Sequence, residues 1–309
     1  MRGYDIESPS TCNWLLEQQE YREWLDLEYF SKHHGCLWII GEPGIGKSTL
    51  MKFASLALEE AAARRRQVPC RELVLAFFLD PRSSDPEGSI TNLFRSLLFS
   101  LLENYTDLQT VLDATVTSSP EQLFGPDGLR TILCDALLRL GNRQFTCFVD
   151  TAGQSRQVGL LLEWIQHIVN HSGSTKGRVR FCVSCRHSSL NGSLIGSHVM
   201  LENAPSHLEA LKVYVERRLN DPRLKTEVID RAHGNFSWAE HVIKDLNNLD
   251  ESGMPVRDRL NELPADLHEL LLHLKDRDAK EMAEKLSFAH MYQQGSRVQS
   301  HGFVAGQRK

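Results

Sequence analysis

The residues Gly41-Glu42-Pro43-Gly44-Ile45-Gly46-Lys47-Ser48 satisfy the pattern G-x-x-x-x-G-K-[ST] at every fixed position. Each fixed position has a chemical reason. Glycines let the backbone curl until successive N–H groups face one point, where phosphate oxygens can accept from them. Lys47 then supplies a cation for the outer phosphates of a nucleotide, and the Ser48 hydroxyl is a ligand for the accompanying Mg2+. Thr49 falls beside the inner phosphate. Gly41, Gly44, Gly46, Lys47, Ser48 and Thr49 are therefore the candidate nucleotide ligands, with ATP or GTP and Mg2+ as the expected cofactors.

A loop of this kind needs a carboxylate at the end of a neighbouring strand to orient the magnesium. Asp150 directly follows the apolar run Phe145–Val149 and is the candidate, sharing the metal with Ser48. The residues after it, Thr151-Ala152-Gly153-Gln154, complete a D-x-x-G-Q segment like that of small GTPases, where the glutamine orients the attacking water. Gln154 is thus a candidate catalytic residue. Two features oppose that identity: about a hundred residues separate Lys47 from Asp150, and no N-K-x-D guanine-reading motif follows.

These groups must be positioned by the elements around them. Cys36–Ile40 is a short apolar run ending at the Gly41 turn, which predicts a buried strand. Ser48 to Arg66 follows as a helix, with Leu50, Met51, Ala54 and Leu58 at helical spacing, and Arg64-Arg65-Arg66 falls at its end, where cations suit the helix dipole. Further strands are expected at Leu73–Leu79, Phe145–Val149, Val179–Ser184 and Val199–Leu201. Helical stripes lie between them, one capped by Ser89 and carrying Leu93, Leu97 and Leu101, one running from Leu129 to Leu140, and one from Leu161 to Val169. Ahead of the first strand, Asn13 to Leu27 reads as a helix. Alternation of this kind predicts an α/β fold whose parallel sheet is covered on both faces. From Ser206 the pattern is helical only, broken near Asp221-Pro222, Gly234 and Gly253. The expected division is 1–34 as a helical lead-in, 35–204 as the nucleotide-binding domain, 205–275 as a helical region and 276–309 as a charged tail whose last fifteen or so residues lack any core-forming pattern.

Composition narrows the function classes. With 35 basic and 40 acidic side chains among 309 residues, the chain has no excess of cations to neutralise a nucleic-acid backbone. No stretch approaches the roughly 20 apolar residues of a membrane helix, and the first residues form no signal peptide. Seven scattered cysteines, an odd number, suit reduced thiols in the cytoplasm. Cys182 and Cys185 stand alone as a CxxC, and on a strand that spacing sends them to opposite faces, which argues against zinc.

At family level the chain resembles the NACHT-type signalling NTPases of filamentous fungi, of the nephrocystin-3-like N-terminal type, within the STAND class of P-loop switches. The resemblance is carried by Thr11-Cys12-Asn13-Trp14-Leu15-Leu16-Glu17, Tyr21-Arg22-Glu23-Trp24-Leu25 and Leu37 through Phe53. It continues in Ala76-Phe77-Phe78-Leu79, Phe94-Arg95-Ser96-Leu97-Leu98, Cys182-Val183-Ser184-Cys185-Arg186-His187, Gly234-Asn235-Phe236-Ser237-Trp238-Ala239 and Leu263-Pro264-Ala265-Asp266-Leu267-His268-Glu269-Leu270. The resemblance implies that Asp150 is the Walker B acid and that Arg186 is a sensor arginine approaching the terminal phosphate, a role suited to a forked guanidinium. It also implies that the strand before Arg186 lies between the Walker A strand, which ends at Gly41, and the Walker B strand, which ends at Asp150. In small GTPases those two strands are direct neighbours.

One departure bears on chemistry. The family carries D-x-x-D-E after its Walker B strand, and here Gly153 and Gln154 replace the later acids. Losing a general base typically costs a hundred- to ten-thousand-fold in rate, so nucleotide binding with slow or absent hydrolysis is expected. About ten residues precede the resemblance and no repeat period follows it, the pattern of a truncated product, a fragment or a module working through a protein partner or self-association. The leading expectation is a nucleotide-dependent signalling switch. An active NTPase using Gln154 and a scaffold with a vestigial site are the alternatives.

Overall fold

A computed structural model of the chain describes residues 11–65, 72–79, 86–113, 124–151, 156–171, 178–187, 195–248, 256–277 and 279. Cys36–Ile40 forms β1, and all five of its residues are buried. Glu72–Phe78 (β2), Gln144–Asp150 (β3), Val179–Cys185 (β4) and Ser197–Met200 (β5) complete one sheet in the order β2-β3-β4-β1-β5. Every neighbouring pair is parallel. The strand leading to Arg186 therefore lies between the strand entering the glycine loop and the strand ending at Asp150, in the inserted order.

A parallel sheet must be covered on both faces, because the crossovers between its strands lie there. Alternate side chains of each strand enter two separate apolar clusters. One holds Trp38, Phe145, Phe181 and Val183 with Leu93, Leu97 and Leu101 of α5 (Pro86–Asn104), Leu133 of α6 (Pro126–Leu138) and Ile165 of α7 (Arg156–His171). The other holds Leu37, Ile39, Phe148 and Cys182 with Leu50, Met51 and Ala54 of α4 (Lys47–Arg64). Cys182 and Cys185 fall into different clusters, as their spacing predicts. Among the described residues six cysteines are free thiols, and no helix is long and apolar enough to cross a membrane.

The lead-in differs from its reading as one helix. Gln18 is extended (φ −61°, ψ 137°) and divides it into α1 (Trp14–Glu17) and α2 (Gln19–Leu25). This break lets Leu15 of α1 and Tyr21 and Trp24 of α2 all join the second cluster. A 3-10 turn at Leu27–Tyr29 and the short α3 (Phe30–His33) then lead into β1. Ser89 is not a cap: α5 already begins at Pro86, whose missing N–H costs nothing at a first helical position. Likewise α4 begins one residue ahead of Ser48 and ends at Arg64, and Leu201 opens a 3-10 turn rather than ending β5. Arg66 and Gly253 lie outside the described residues, as does nearly all of the tail.

The chain forms two compact units, Met1–Arg217 with His233–Phe236, and Arg218–Ala232 with Ser237–Lys309. After α8 (Pro205–Arg218), the described residues are helical between turns: α9 (Lys225–Ala232), α10 (Phe236–Asn247), α11 (Val256–Glu262) and a helix over 267–277. Inside the second unit Trp238 donates to Pro264 O at 2.8 Å, and the Asp245 carboxylate receives Arg259 at 2.8 Å.

Candidate functional site

The turn between β1 and α4 is shaped by backbone demands that only glycine meets. Gly46 has φ 104° and is the N-cap of α4, a left-handed conformation in which a side chain would be strained. A Cβ at Gly41 would meet Ile45 Cγ2 at 2.9 Å and Glu202 Oε1 at 3.3 Å. Between them the chain curls so that Lys47 returns over its own loop. Its ammonium donates to Gly41 O at 2.6 Å and Glu42 O at 2.8 Å, with only 8% of the residue exposed. An ammonium has three N–H groups, so these two bonds leave one to point at an anion.

The amides of the loop divide into two sets. Gly41 N donates to Cys185 O at 3.2 Å, Glu42 N to Glu202 Oε1 at 2.6 Å and Ile45 N to Glu42 O at 3.4 Å, and these fix the loop's entry. The amides of Gly46, Lys47, Ser48 and Thr49 have no acceptor among the described residues, and no side chain caps α4. An 18-residue helix whose first turn is left uncapped beside a buried lysine presents N–H groups and a positive dipole end to the same point. Ser48 is exposed at that turn and Thr49 half-buried.

The acid expected beside this loop is present. Asp150 ends β3 at 3% exposure, and Ser184 Oγ donates to its carboxylate. Thr151 locks the same corner, its amide donating to Ser184 Oγ at 3.2 Å and its hydroxyl to Ser184 O at 2.6 Å. Ser184 is two residues before Arg186, so the strand bearing the sensor candidate also orients the metal candidate. Burial lowers the Lys47 pKa, and Arg186 lowers it further, while Asp150 and Glu202 act to raise it. Those opposed effects on one amine place Asp150, Arg186 and Glu202 within electrostatic reach of the loop. Of the sequence candidates, Gly41 to Thr49, Asp150 and Arg186 thus converge at the C-terminal ends of β1, β3 and β4. Gln154 and Gly153 lie outside the described residues.

Five residues at the site have roles that escaped the sequence reading. Glu202 holds the Glu42 amide and has His187 Nε2 3.4 Å from its other oxygen. Ser184 and Thr151 hold Asp150. Asn235 Nδ2 donates to Pro43 O at 3.0 Å, and Phe236 lies 3.7 Å from where a Gly46 Cβ would stand. Ser184, Thr151, Asn235 and Phe236 all fall in segments the sequence singled out, but nothing there indicated these contacts, and Glu202 had no signal.

The donor set fits a polyphosphate with its divalent cation: free helix-end amides, a buried cation, an exposed hydroxyl and a carboxylate oriented by Ser184. This is a P-loop NTPase-like nucleotide-binding domain. Solved structures that align with the chain include two of low identity. One, of C. elegans PCH-2, is 12% identical, covering 78% of this chain and 61% of that one, with a TM-score of 0.37. The other, of Drosophila ORC bound to DNA, is 13% identical, covering 81% of this chain and 61% of that one, with a TM-score of 0.32. The chain spans about three fifths of the length of each. No curated protein matches it. Residues 10–186, more than half of the chain, match the model of the family described as Nephrocystin 3, N-terminal, and the chain belongs to that family.

Proposed function

We propose that the chain binds ATP or GTP with Mg2+ and acts as a signalling switch whose hydrolysis is weak or absent. The observation that carries this reading is the arrangement around Lys47: a nearly buried ammonium tied to Gly41 O and Glu42 O, directly before uncapped helix amides. A buried cation costs free energy unless something compensates it, and a polyphosphate seated on α4 would do so. Gly46, Lys47, Ser48 and Thr49 would hold the phosphates, Ser48 and Asp150 the magnesium, and Arg186 the outermost phosphate. The metal, when bound, supplies charge neutralisation between phosphate oxygens. Gly153 and Gln154 stand where the family resemblance leads one to expect acids, which supports slow turnover.

Support for switching comes from the path of the chain. Residues 35–204 are the proposed nucleotide-binding domain and 205–275 the region that responds, between the lead-in 1–34 and the tail 276–309. The chain leaves the first unit at Arg218, returns to it for His233–Phe236 and leaves again. Within that return Asn235 bonds the loop at Pro43, and His207 Nε2 lies 3.1 Å from Gly234 O. A change in loop geometry on nucleotide binding is therefore applied to a segment with both ends anchored in the second unit. A ligand shifts such an equilibrium only by its differential contacts with the two states, and Pro43 is one such contact. A protein partner or a second copy of the chain would receive the signal.

The test is titration with fluorescent ATP and GTP analogues, with and without Mg2+, on the parent chain and on Lys47→Ala. Magnesium-dependent binding should weaken at least tenfold in the variant, since a charge-assisted phosphate contact is worth about 1.5–3 kcal/mol. Equal affinity in the two proteins would remove the reading.

A further inference from the structure

At the end of the sheet away from the glycine loop, where the strands begin, a cavity of 440 Å3 opens between the lead-in and the end of α4. Its wall includes Arg22, Arg65 and Arg180, with Leu25, Leu58 and the single carboxylate Asp26. That volume suits a small ligand rather than a folded partner.

The three arginines are unequal. Arg180 is the second residue of β4, its side chain 4% exposed, and its charge is matched by Glu72 at 2.6 Å. Its Nε, NH1 and NH2 each make one bond, to Thr146 Oγ1 at 3.3 Å, Leu25 O at 2.8 Å and Glu72 Oε1 at 2.6 Å. A guanidinium has five N–H groups, so two remain beyond those bonds. Arg22 and Arg65 are exposed, and among the described residues their side chains make one bond, Arg22 Nε to Leu16 O at 3.4 Å. Asp26 is already occupied in part, accepting from Glu28 N at 2.9 Å. The lining thus holds two exposed guanidiniums, a third already paired with Glu72, and one carboxylate. Leu58, 4% exposed, gives the cavity an apolar side. Arg65 belongs to the Arg64-Arg65-Arg66 run, whose position at a helix end explains its charge but not its meeting with Arg22 from α2.

We infer that this cavity is a second ligand site, separate from the glycine loop, for a free small phosphate monoester with an apolar body. Two forked cations match a dianionic head group, and the leucines match the body.

Ligand-observed NMR on the full chain tests this with phenyl phosphate, inorganic phosphate, benzoate and a phosphotyrosine peptide. Lys47→Ala serves to silence the glycine loop. Phenyl phosphate should bind the parent and Lys47→Ala alike, more tightly than inorganic phosphate or benzoate. It should weaken about tenfold for each guanidinium removed in Arg22→Ala and Arg65→Ala, and Arg65→Glu should abolish it. Both side chains are exposed, and an unchanged urea midpoint confirms that each variant is folded. The site is overturned if phenyl phosphate binding survives Arg65→Glu, or vanishes with Lys47→Ala alone. Equal binding of benzoate overturns the head group, and tighter binding of the peptide overturns the free ligand.

Discussion

Lys47 combines a structural and a binding role in one side chain. Two of its N–H groups close the loop on itself through Gly41 O and Glu42 O. Burial, with Arg186 nearby, holds its amine below the ordinary lysine range despite the opposing pull of Asp150 and Glu202. An incoming anion favours the charged amine and lifts its pKa, so binding at alkaline pH takes up protons. Affinity is then full while Lys47 is charged in the free protein, and it is lost as pH rises through the depressed free-state value toward that of the bound state. Nucleotide dissociation constants, measured without Mg2+ from pH 7 upward, should rise across the window below about 10.4, the ordinary lysine value. Lys47→Ala should be flat over the same window. A parent affinity equally flat would show that the ammonium does not face the ligand. The chemistry of position 47 was legible in the sequence because its partners are close in the chain. Glu202 was not, since the amide it holds is 160 residues away and one acid after a short strand looks like any other.

At the scale of elements, legibility followed local physics. Apolar runs such as Cys36–Ile40, too short for a helix and ended by a glycine turn, read as buried strands, and the inserted strand order agrees with the family expectation. The break at Gln18 was hidden, because apolar residues on either side keep a helical rhythm that a single extended residue does not interrupt in composition. Arg180 was hidden as well: a charge inside the apolar run of β4 has no local explanation. Its partner Glu72 is 108 residues earlier, at the start of the edge strand, and both side chains are within 5% of full burial. Thr146 Oγ1 also donates to Glu72 at 2.9 Å, and Trp24 stacks 5.9 Å from the guanidinium. Breaking such a pair leaves a buried cation, whereas removing both charges leaves none. Glu72→Leu should therefore cost about 3–5 kcal/mol in urea unfolding, and adding Arg180→Met should restore most of it. Additive losses in the double variant would mean that each side chain serves separate contacts. The pair also fixes where β2, β3 and β4 begin, which positions their far ends at Asp150 and Arg186.

For the molecule as a whole, the sheet unit and the helical unit are linked by a chain that crosses between them three times, at Arg217–Arg218, Ala232–His233 and Phe236–Ser237. A switch requires that the nucleotide change something in this linkage, and the glycine loop meets it inside the first unit. Asn235 donates to Pro43 O, while Phe236 packs against His207 at 5.3 Å and Tyr214 at 5.5 Å between ring centroids. Asn235 engages a carbonyl and none of the amides that would take phosphate. Its loss should therefore spare binding and disturb transmission. Asn235→Ala should keep nucleotide affinity within about tenfold of the parent, one neutral hydrogen bond being worth about 0.5–1.5 kcal/mol at most. In the parent, nucleotide should change amide hydrogen exchange across α9 and α10, and in Asn235→Ala that change should largely disappear. Exchange in the strands β1 and β4 should still respond to nucleotide in both proteins, which separates a failure to transmit from a failure to bind. If α9 and α10 respond equally in the variant, coupling does not pass through the bond to Pro43, and the return of His233–Phe236 is a structural tether only.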